Sequence, residues 1–144
     1  MSPDFLTQES VLPAPPVLEW SLPVIYDALS EFYAGLAPEG GAAHQALTQA
    51  HFALWTTLVL DDSTRLDFDK ASLAAQAEAL GVNRATCGAA NRYVAGELLE
   101  LILRRCRRMP DEARANNVAL LAILSHLQMD FARESQPNSR SQAA

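Results

Sequence analysis

The chain has 144 residues, a formal net charge of −6 at pH 7 and a composition that is 49% hydrophobic. A single domain of this length can bury a packed core, and the acidic balance argues against nucleic acid as a partner, because phosphate binding needs a concentrated basic surface. No apolar run reaches the ~20 residues of a transmembrane helix, and the N-terminus lacks the basic and apolar regions of a secretory signal. We therefore expect a cytoplasmic protein with no membrane span.

The two ends of the chain differ in composition from the middle. The segment 1–20 holds four of the eight prolines, which predicts an extended or irregular lead-in. Within it, Val17, Leu18 and Trp20 are expected to dock onto the core. The segment 135–144 is small and polar, so we predict a disordered tail there. The domain itself is expected to span residues 21–134.

Three helices are predicted in the first part of the domain, over 21–36, 42–58 and 69–80. Ser21 is a suitable N-cap for the first helix, and Gly81 is a natural stop for the third. The acidic stretch "DDSTRLDFD" before the third helix lacks the central glycine and terminal glutamate of an EF-hand, so we predict a solvated connection rather than a calcium loop.

Two longer helices follow, over 84–109 and 111–133, with Pro110 as the stop between them. The basic cluster "RRCRR" closes the first of these, where positive charge complements the helix dipole. Both helices are apolar on more than one face and so need neighbours on more than one side. We predict an antiparallel hairpin that pairs with the same hairpin of a second chain, giving a homodimer through a four-helix bundle. Because no strand pattern alternates, the predicted class is all-α.

The two cysteines, Cys87 and Cys106, are predicted to be free thiols. They lie on one predicted helix, ~28 Å apart at ~1.5 Å per residue, which is too far for a disulfide within the chain. Free thiols are typical of a reducing cytoplasm.

The order of these elements, with several local motifs, resembles the globin fold of bacterial globin-coupled sensors and protoglobins. The motif "LSEFYAGL" is similar to the second helix of that family, and "HQALTQAHFALWTTL" to the helix on the distal side of the heme. The run "LAAQAEALGVNRATCGAANRYVAGELLELI" resembles the proximal helix, its corner and the long helix after it. The final helix, with "LQMDFA", resembles the last helix of the family. The resemblance implies a globin-like sensor domain.

Two positions follow from this resemblance. Tyr33 matches the aromatic residue that faces bound oxygen in many of these sensors, and Phe32 forms an aromatic pair with it. Ala77 matches the proximal histidine that holds the heme iron, and an alanine methyl group cannot coordinate a metal. The resemblance therefore implies a sensor without heme, in which small residues around Ala77 either close the vacated pocket or leave it open to another ligand, such as a lipid.

A heme-binding alternative requires another iron ligand, and His51 and Cys87 are the candidates. His44 and His51 share one face of the predicted distal helix, and a nearby arginine favours a thiolate at Cys87. The competing interpretation is structural: Cys87 is a small buried hydrophobe and His51 a partly exposed polar contact. Tyr33, Trp20 and Trp55 are likewise predicted as core aromatics if no heme is bound.

No pattern of an enzyme, a zinc site or a phosphate-binding loop is found in the sequence. We therefore predict a non-enzymatic signalling domain, without a cofactor, that acts on a partner protein or a fused output domain through changes in helix packing. A heme-based gas sensor is the first alternative and an all-α scaffold the second. The candidate pocket residues are Tyr33, Phe32, His51, Trp55, Ala77 and Cys87.

Overall fold

The computed structural model describes residues 16–36 and 41–143, with side chains to residue 127. It is all-α, as predicted, and no strand occurs in these ranges. A short 3₁₀ turn at Glu19–Ser21 precedes helix α1 at Leu22–Leu36. Helices α2 (Gly41–Val59), α3 (Leu66–Leu80), α4 (Arg84–Arg105) and α5 (Pro110–Ala143) follow.

The predicted boundaries hold to within a few residues, with three corrections. Ser21 does not cap α1, because it lies in the 3₁₀ turn and its hydroxyl donates back to the carbonyl of Leu18 at 2.6 Å. Helix α3 begins at Leu66 rather than at residue 69. Helix α4 ends at Arg105, and Pro110 is the first residue of α5, where its missing N–H is not needed by the helix.

Glycine ends α3 as the sequence predicts. Gly81 has a positive φ of 71°, and its N–H bonds to the carbonyls of Ala77 and Glu78. A residue without a Cβ adopts this left-handed conformation readily, so the chain turns sharply here towards α4. Asn83 then caps α4 by accepting a hydrogen bond from the Thr86 N–H at 2.8 Å.

The helices pack as a chain of neighbours around one core. Helix α2 contacts both α1 and α3, α1 also contacts α4, and α4 contacts α5 across the connection 106–109. The buried core includes Leu29, Leu47, Val94, Leu98 and Ile102. The antiparallel hairpin and the globin-like arrangement of these helices stay predictions.

The end of the lead-in docks onto the last two helices. Leu18 is buried, while Trp20 donates from Nε1 to Asn116 Oδ1 at 2.9 Å and lies under the Arg105 guanidinium, 4.5 Å from its ring centroid. Docking is thus confirmed for Leu18 and Trp20, but it is wrong for Val17, which is 46% exposed.

The predicted division of the chain is described only in part. Residues 1–15 of the lead-in lie outside the described residues, and for the predicted tail only the backbone of 135–143 is described, as the end of α5. The limits at 20 and 135 therefore stay predictions. Across the described ranges, no helix combines the length and the apolar character that crossing a membrane requires.

Candidate functional site

Five polar or polarisable side chains meet in the centre of the core, where three helices converge. Tyr33 comes from α1, His51 and Trp55 from α2, and Cys87 and Asn91 from α4. Tyr33, His51 and Trp55 are 0% exposed, and the other two are also buried. We call these five residues the buried polar cluster. Four of them, Tyr33, His51, Trp55 and Cys87, are among the pocket candidates named from the sequence, and their role in a ligand pocket stays a prediction.

His51 is the centre of the cluster, because both of its ring nitrogens are hydrogen-bonded. Nδ1 lies 2.7 Å from Tyr33 Oη, and Nε2 lies 2.7 Å from Asn91 Oδ1. Trp55 Nε1 also donates to Asn91 Oδ1, at 2.8 Å. An indole N–H can only donate, so the amide atom that it meets must be the carbonyl oxygen.

This orientation of Asn91 determines the protonation of His51. Since Asn91 Oδ1 only accepts, His51 Nε2 must carry a proton, and in a neutral imidazole Nδ1 is then the acceptor. Tyr33 therefore donates its hydroxyl proton to His51 Nδ1. Every polar group at the centre of the cluster is satisfied, which is the condition for burying it without a large penalty.

Cys87 adds a fourth link to the same chain, because its Sγ lies 3.6 Å from Tyr33 Oη. Tyr33 has a single hydroxyl proton, and it donates this proton to His51. In the contact with Cys87 the thiol is therefore the donor and the tyrosine oxygen the acceptor. If His51 gained a second proton, Nδ1 would become a donor, and Tyr33 would instead donate to the sulfur. The hydrogen bonds that link Cys87, Tyr33 and His51 can therefore be donated in either of two directions. The charge on His51 decides which direction is present.

Burial keeps the cluster neutral. It lowers the pKa of His51 to about 4, and the bond to Asn91 offsets only part of this effect. Burial, followed by the proximity of Cys87, raises the pKa of Tyr33 far above its usual range. Burial also raises the pKa of the Cys87 thiol, more than the hydrogen bond with Tyr33 lowers it. A thiolate at Cys87, which the sequence analysis considered, is thus disfavoured.

The two other predicted pocket residues lie in or beside the core but outside these hydrogen bonds. Phe32 is partly buried, and its ring meets the Tyr33 ring edge-on at 5.4 Å and the Tyr93 ring at 6.0 Å. Ala77 is buried on α3, where its carbonyl accepts from the Val82 N–H at 2.9 Å. Ala77 therefore contributes a small core side chain near the end of α3.

Heme is the cofactor of the alternative function considered from the sequence, and the residues present do not fit it. His51 is fully buried, and iron ligation would require one of its nitrogens to give up Tyr33 or Asn91. Cys87 would have to ionise against the burial that raises its pKa. In the described part of the chain, no group of three or more His, Cys, Asp or Glu side chains could hold a metal ion.

Sequence reasoning missed Asn91, although a signal for it exists. The buried apolar positions of α4 include Cys87, Ala90, Val94, Leu98 and Ile102, which recur at three- and four-residue steps. Asn91 falls on this stripe, and a polar residue on an apolar stripe must find a buried partner.

Outside the buried polar cluster, two buried polar side chains join α2 to α3. The sequence predicts a solvated connection at this point. Thr57 donates from its hydroxyl to the Asp69 carboxylate, and both side chains are buried. Asp69 also donates its backbone N–H to the carbonyl of Arg65 at 2.9 Å. The prediction of a solvated segment through Asp69 is therefore wrong, because α3 has already begun and turns this carboxylate inward.

No protein-family model, curated protein or solved structure matches this chain. The resemblance to sensor globins therefore rests on the order and spacing of the sequence motifs, and it stays a prediction.

Proposed function

We propose that this chain is a non-enzymatic signalling domain of globin-like architecture that works without heme, as a homodimer, through changes in helix packing. The observation that supports this best is the buried polar cluster. It fills the meeting point of α1, α2 and α4 with side chains that are bonded to one another, and it occupies both nitrogens of His51. These hydrogen bonds favour one packing of the three helices. They also leave neither nitrogen of His51 available to coordinate iron.

The same cluster argues against catalysis at its centre. A nucleophile or general base needs access to a substrate and a pKa suited to proton transfer. Here the thiol, the phenol and the imidazole are buried and neutral. The cluster is thus suited to fixing the relative positions of helices.

The homodimer is supported by apolar side chains on the outside of the last two helices. Leu99 and Leu103 are exposed on α4, one helical turn apart, and Val118 and Leu121 are exposed on α5. We call these four residues the outer apolar stripe. Large apolar side chains that lie exposed on two successive helices are typical of a surface that contacts another protein.

Charge along α4 supports a second copy as the partner. Glu97 and Glu100 precede Arg104 and Arg105 on this helix; within the chain, Arg104 lies 3.9 Å from Glu100 and Arg105 covers the Trp20 ring. When two copies of α4 pack antiparallel, the acidic turns of one lie against the basic turns of the other, which favours self-association in one orientation. A signal would then bias the packing of α4 and α5, and a partner protein or a fused output domain would respond to the changed packing.

The test combines an absorption spectrum with hemin and sedimentation of the protein alone. We expect no sharp Soret band to survive desalting, and a dimer at micromolar concentration. A stable band that His51→Ala or Cys87→Ala abolishes would support the heme-based gas sensor instead. A monomer without heme would favour an all-α scaffold of another kind.

A further inference from the structure

A cavity of about 310 Å³ lies between the C-terminal end of α2, the connection to α3 and helix α5, away from the buried polar cluster. Its apolar lining comes from Leu58, Leu66, Ala122 and Ile123. Thr57, at its inner side, is the residue that bonds to the buried Asp69. An apolar cavity with a few polar groups at one side is the usual form of a small-molecule site.

The polar side of the cavity carries two carboxylates, and Ser63 and the imidazole of His126 also line the cavity. Asp61 and Asp62 line it at the C-terminal end of α2, where the helix dipole is also negative, and no basic residue occupies the last turn of this helix. Asp62 is held in place by the N–H and the hydroxyl of Thr64, at 3.2 and 2.6 Å. The carboxylates and the helix end therefore act in the same direction, and both favour a positive charge at this side.

The backbone at this point does not itself require an acid. Asp61 has a positive φ of 56°, and the Asp62 N–H bonds to the carbonyl of Thr57 at 2.9 Å, as in a helix end that usually carries glycine or asparagine. The helix end thus accounts for the backbone conformation at Asp61 without requiring a carboxylate at this position.

We propose that this cavity binds a small amphipathic cation, in which an ammonium group is attached to a short apolar body. The ammonium group meets Asp61 and Asp62, and the apolar body packs against Leu58, Leu66 and Ile123. At about 30 Å³ for a water-sized group, the cavity holds roughly ten non-hydrogen atoms, which is the size of an arylalkyl or alkyl amine.

The position of the cavity gives its ligand a route to the outer apolar stripe, a step that rests on the proposed function. Ala122 and Ile123 line the cavity, and Leu121, the residue before them on α5, belongs to the stripe. A ligand held between α2 and α5 binds more tightly to one placement of α5 relative to α2 than to other placements. It therefore shifts the dimer equilibrium by its differential affinity.

Calorimetric titration of the whole protein with 2-phenylethylammonium tests binding directly, with cyclohexylammonium and hexylammonium as further probes. The matched controls are 2-phenylethanol and phenylacetate, which share the skeleton but carry no charge or a negative charge. We expect saturable binding of at least one ammonium probe, and binding at least tenfold weaker for the alcohol and the carboxylate. Absence of binding by every ammonium probe, or equal binding of phenylacetate, would overturn the proposal.

Substitutions locate the site. Asp61→Asn with Asp62→Asn should weaken ammonium binding at least tenfold, whereas Glu78→Gln, an exposed acid outside the cavity, should not. Ala122→Leu should fill the cavity and abolish binding, whereas Ala115→Leu, also exposed on α5 but not lining the cavity, should leave it unchanged. Circular dichroism confirms that each variant is folded. Equal effects of a variant and its control would overturn the assignment.

Sedimentation with and without saturating ammonium probe separates this proposal from the proposed function. A shift in the dimer equilibrium would support both. Binding without any shift would keep the cavity as a ligand site and overturn its coupling to α5. If the protein binds heme or is a monomer, the proposed function fails, while the calorimetric result still decides whether the cavity binds a cation.

Discussion

Helix α4 carries exceptions to the common distribution of polar and apolar groups on both its inner and its outer face. Its inner face buries an amide and a thiol, at Asn91 and Cys87, whereas its outer face exposes Leu99 and Leu103. The inner polar groups have partners within the chain, and the outer leucines lie open. The difference indicates that the inner face specifies one packing of α1, α2 and α4, while the outer face is suited to another chain.

The largest expected effect comes from removing the shared acceptor of the inner face. Asn91→Ala leaves the N–H groups of His51 and Trp55 buried without a partner, at a cost of about 1–3 kcal/mol for each. We expect the free energy of unfolding, measured in urea, to fall by about 2–6 kcal/mol.

Asn117→Ala is the matched control for that measurement. Asn117 Oδ1 is buried and has no hydrogen-bond partner, so Asn117→Ala takes away no bond at this oxygen. Its effect should be clearly smaller than that of Asn91→Ala. Equal losses in the two variants would show that the inner cluster has no special role in stability.

A pH effect of about 3 kcal/mol is expected from His51. The imidazole takes up a proton near pH 6.5 in the unfolded chain but only near 4 in the folded protein, so the unfolded state binds more protons between these values. Its contribution to stability is complete above pH 6.5 and is lost as the pH falls towards 4, by about 3 kcal/mol.

Denaturant unfolding at a series of pH values measures this loss. Carboxyl groups titrate in the same range, so the wild type is compared with His51→Gln, which should show a shallower decrease below pH 6.5. His44→Gln leaves His51 in place and should keep the wild-type slope. Parallel curves for the wild type and His51→Gln would contradict a neutral buried imidazole.

A smaller effect is expected from the tyrosine hydroxyl. Tyr33→Phe removes the donor to His51 Nδ1 and the oxygen beside Cys87, and should lower the free energy of unfolding by about 1–3 kcal/mol. Tyr26→Phe, a partly buried position on the same helix, should change it by about 0.5 kcal/mol or less. Thermal unfolding of both variants measures this difference. A comparable loss of stability in Tyr26→Phe would show that the Tyr33 hydroxyl has no special contribution.

Substitutions on the outer face of α4 should affect association of the chains rather than the stability of the monomer. Leu103 is 69% exposed, so Leu103→Glu should alter the monomer's free energy of unfolding by about 0.5 kcal/mol or less. In the dimer it would place a charge at the contact and weaken association by about tenfold or more, as measured by sedimentation. Leu36→Glu, an exposed leucine on α1, should not affect association. A wild-type protein that is monomeric would leave the outer face without the proposed partner.

The helices could be predicted from the sequence, whereas some of the contacts between their side chains could not. Apolar periodicity, Gly81 and Pro110 predicted the class and most of the helix ends, because these signals act within a few residues. The end of α4 was placed too late, since nothing in "RRCRRM" stops a helix and only packing shows that Cys106 turns inward to the core.

The candidate site shows the same limit. Tyr33, His51, Trp55 and Cys87 were selected through a family resemblance, but their hydrogen bonds join residues up to 54 positions apart and follow from tertiary packing alone. Asn91 was missed because asparagine is a residue that is mostly exposed. Asp69 was missed for the same reason, since an aspartate in an acidic segment is usually solvated.

The contact between Trp20 and Asn116 has a consequence for the order of folding during synthesis. The two residues are 96 positions apart, and a ribosome adding roughly 5–20 residues per second takes on the order of 5–20 s to make that length. Helices α2 and α4, which cover α1, are made within this interval, whereas the partner of Trp20 on α5 comes last. The end of the lead-in should therefore dock only after α5 has emerged, as a late step of folding during synthesis.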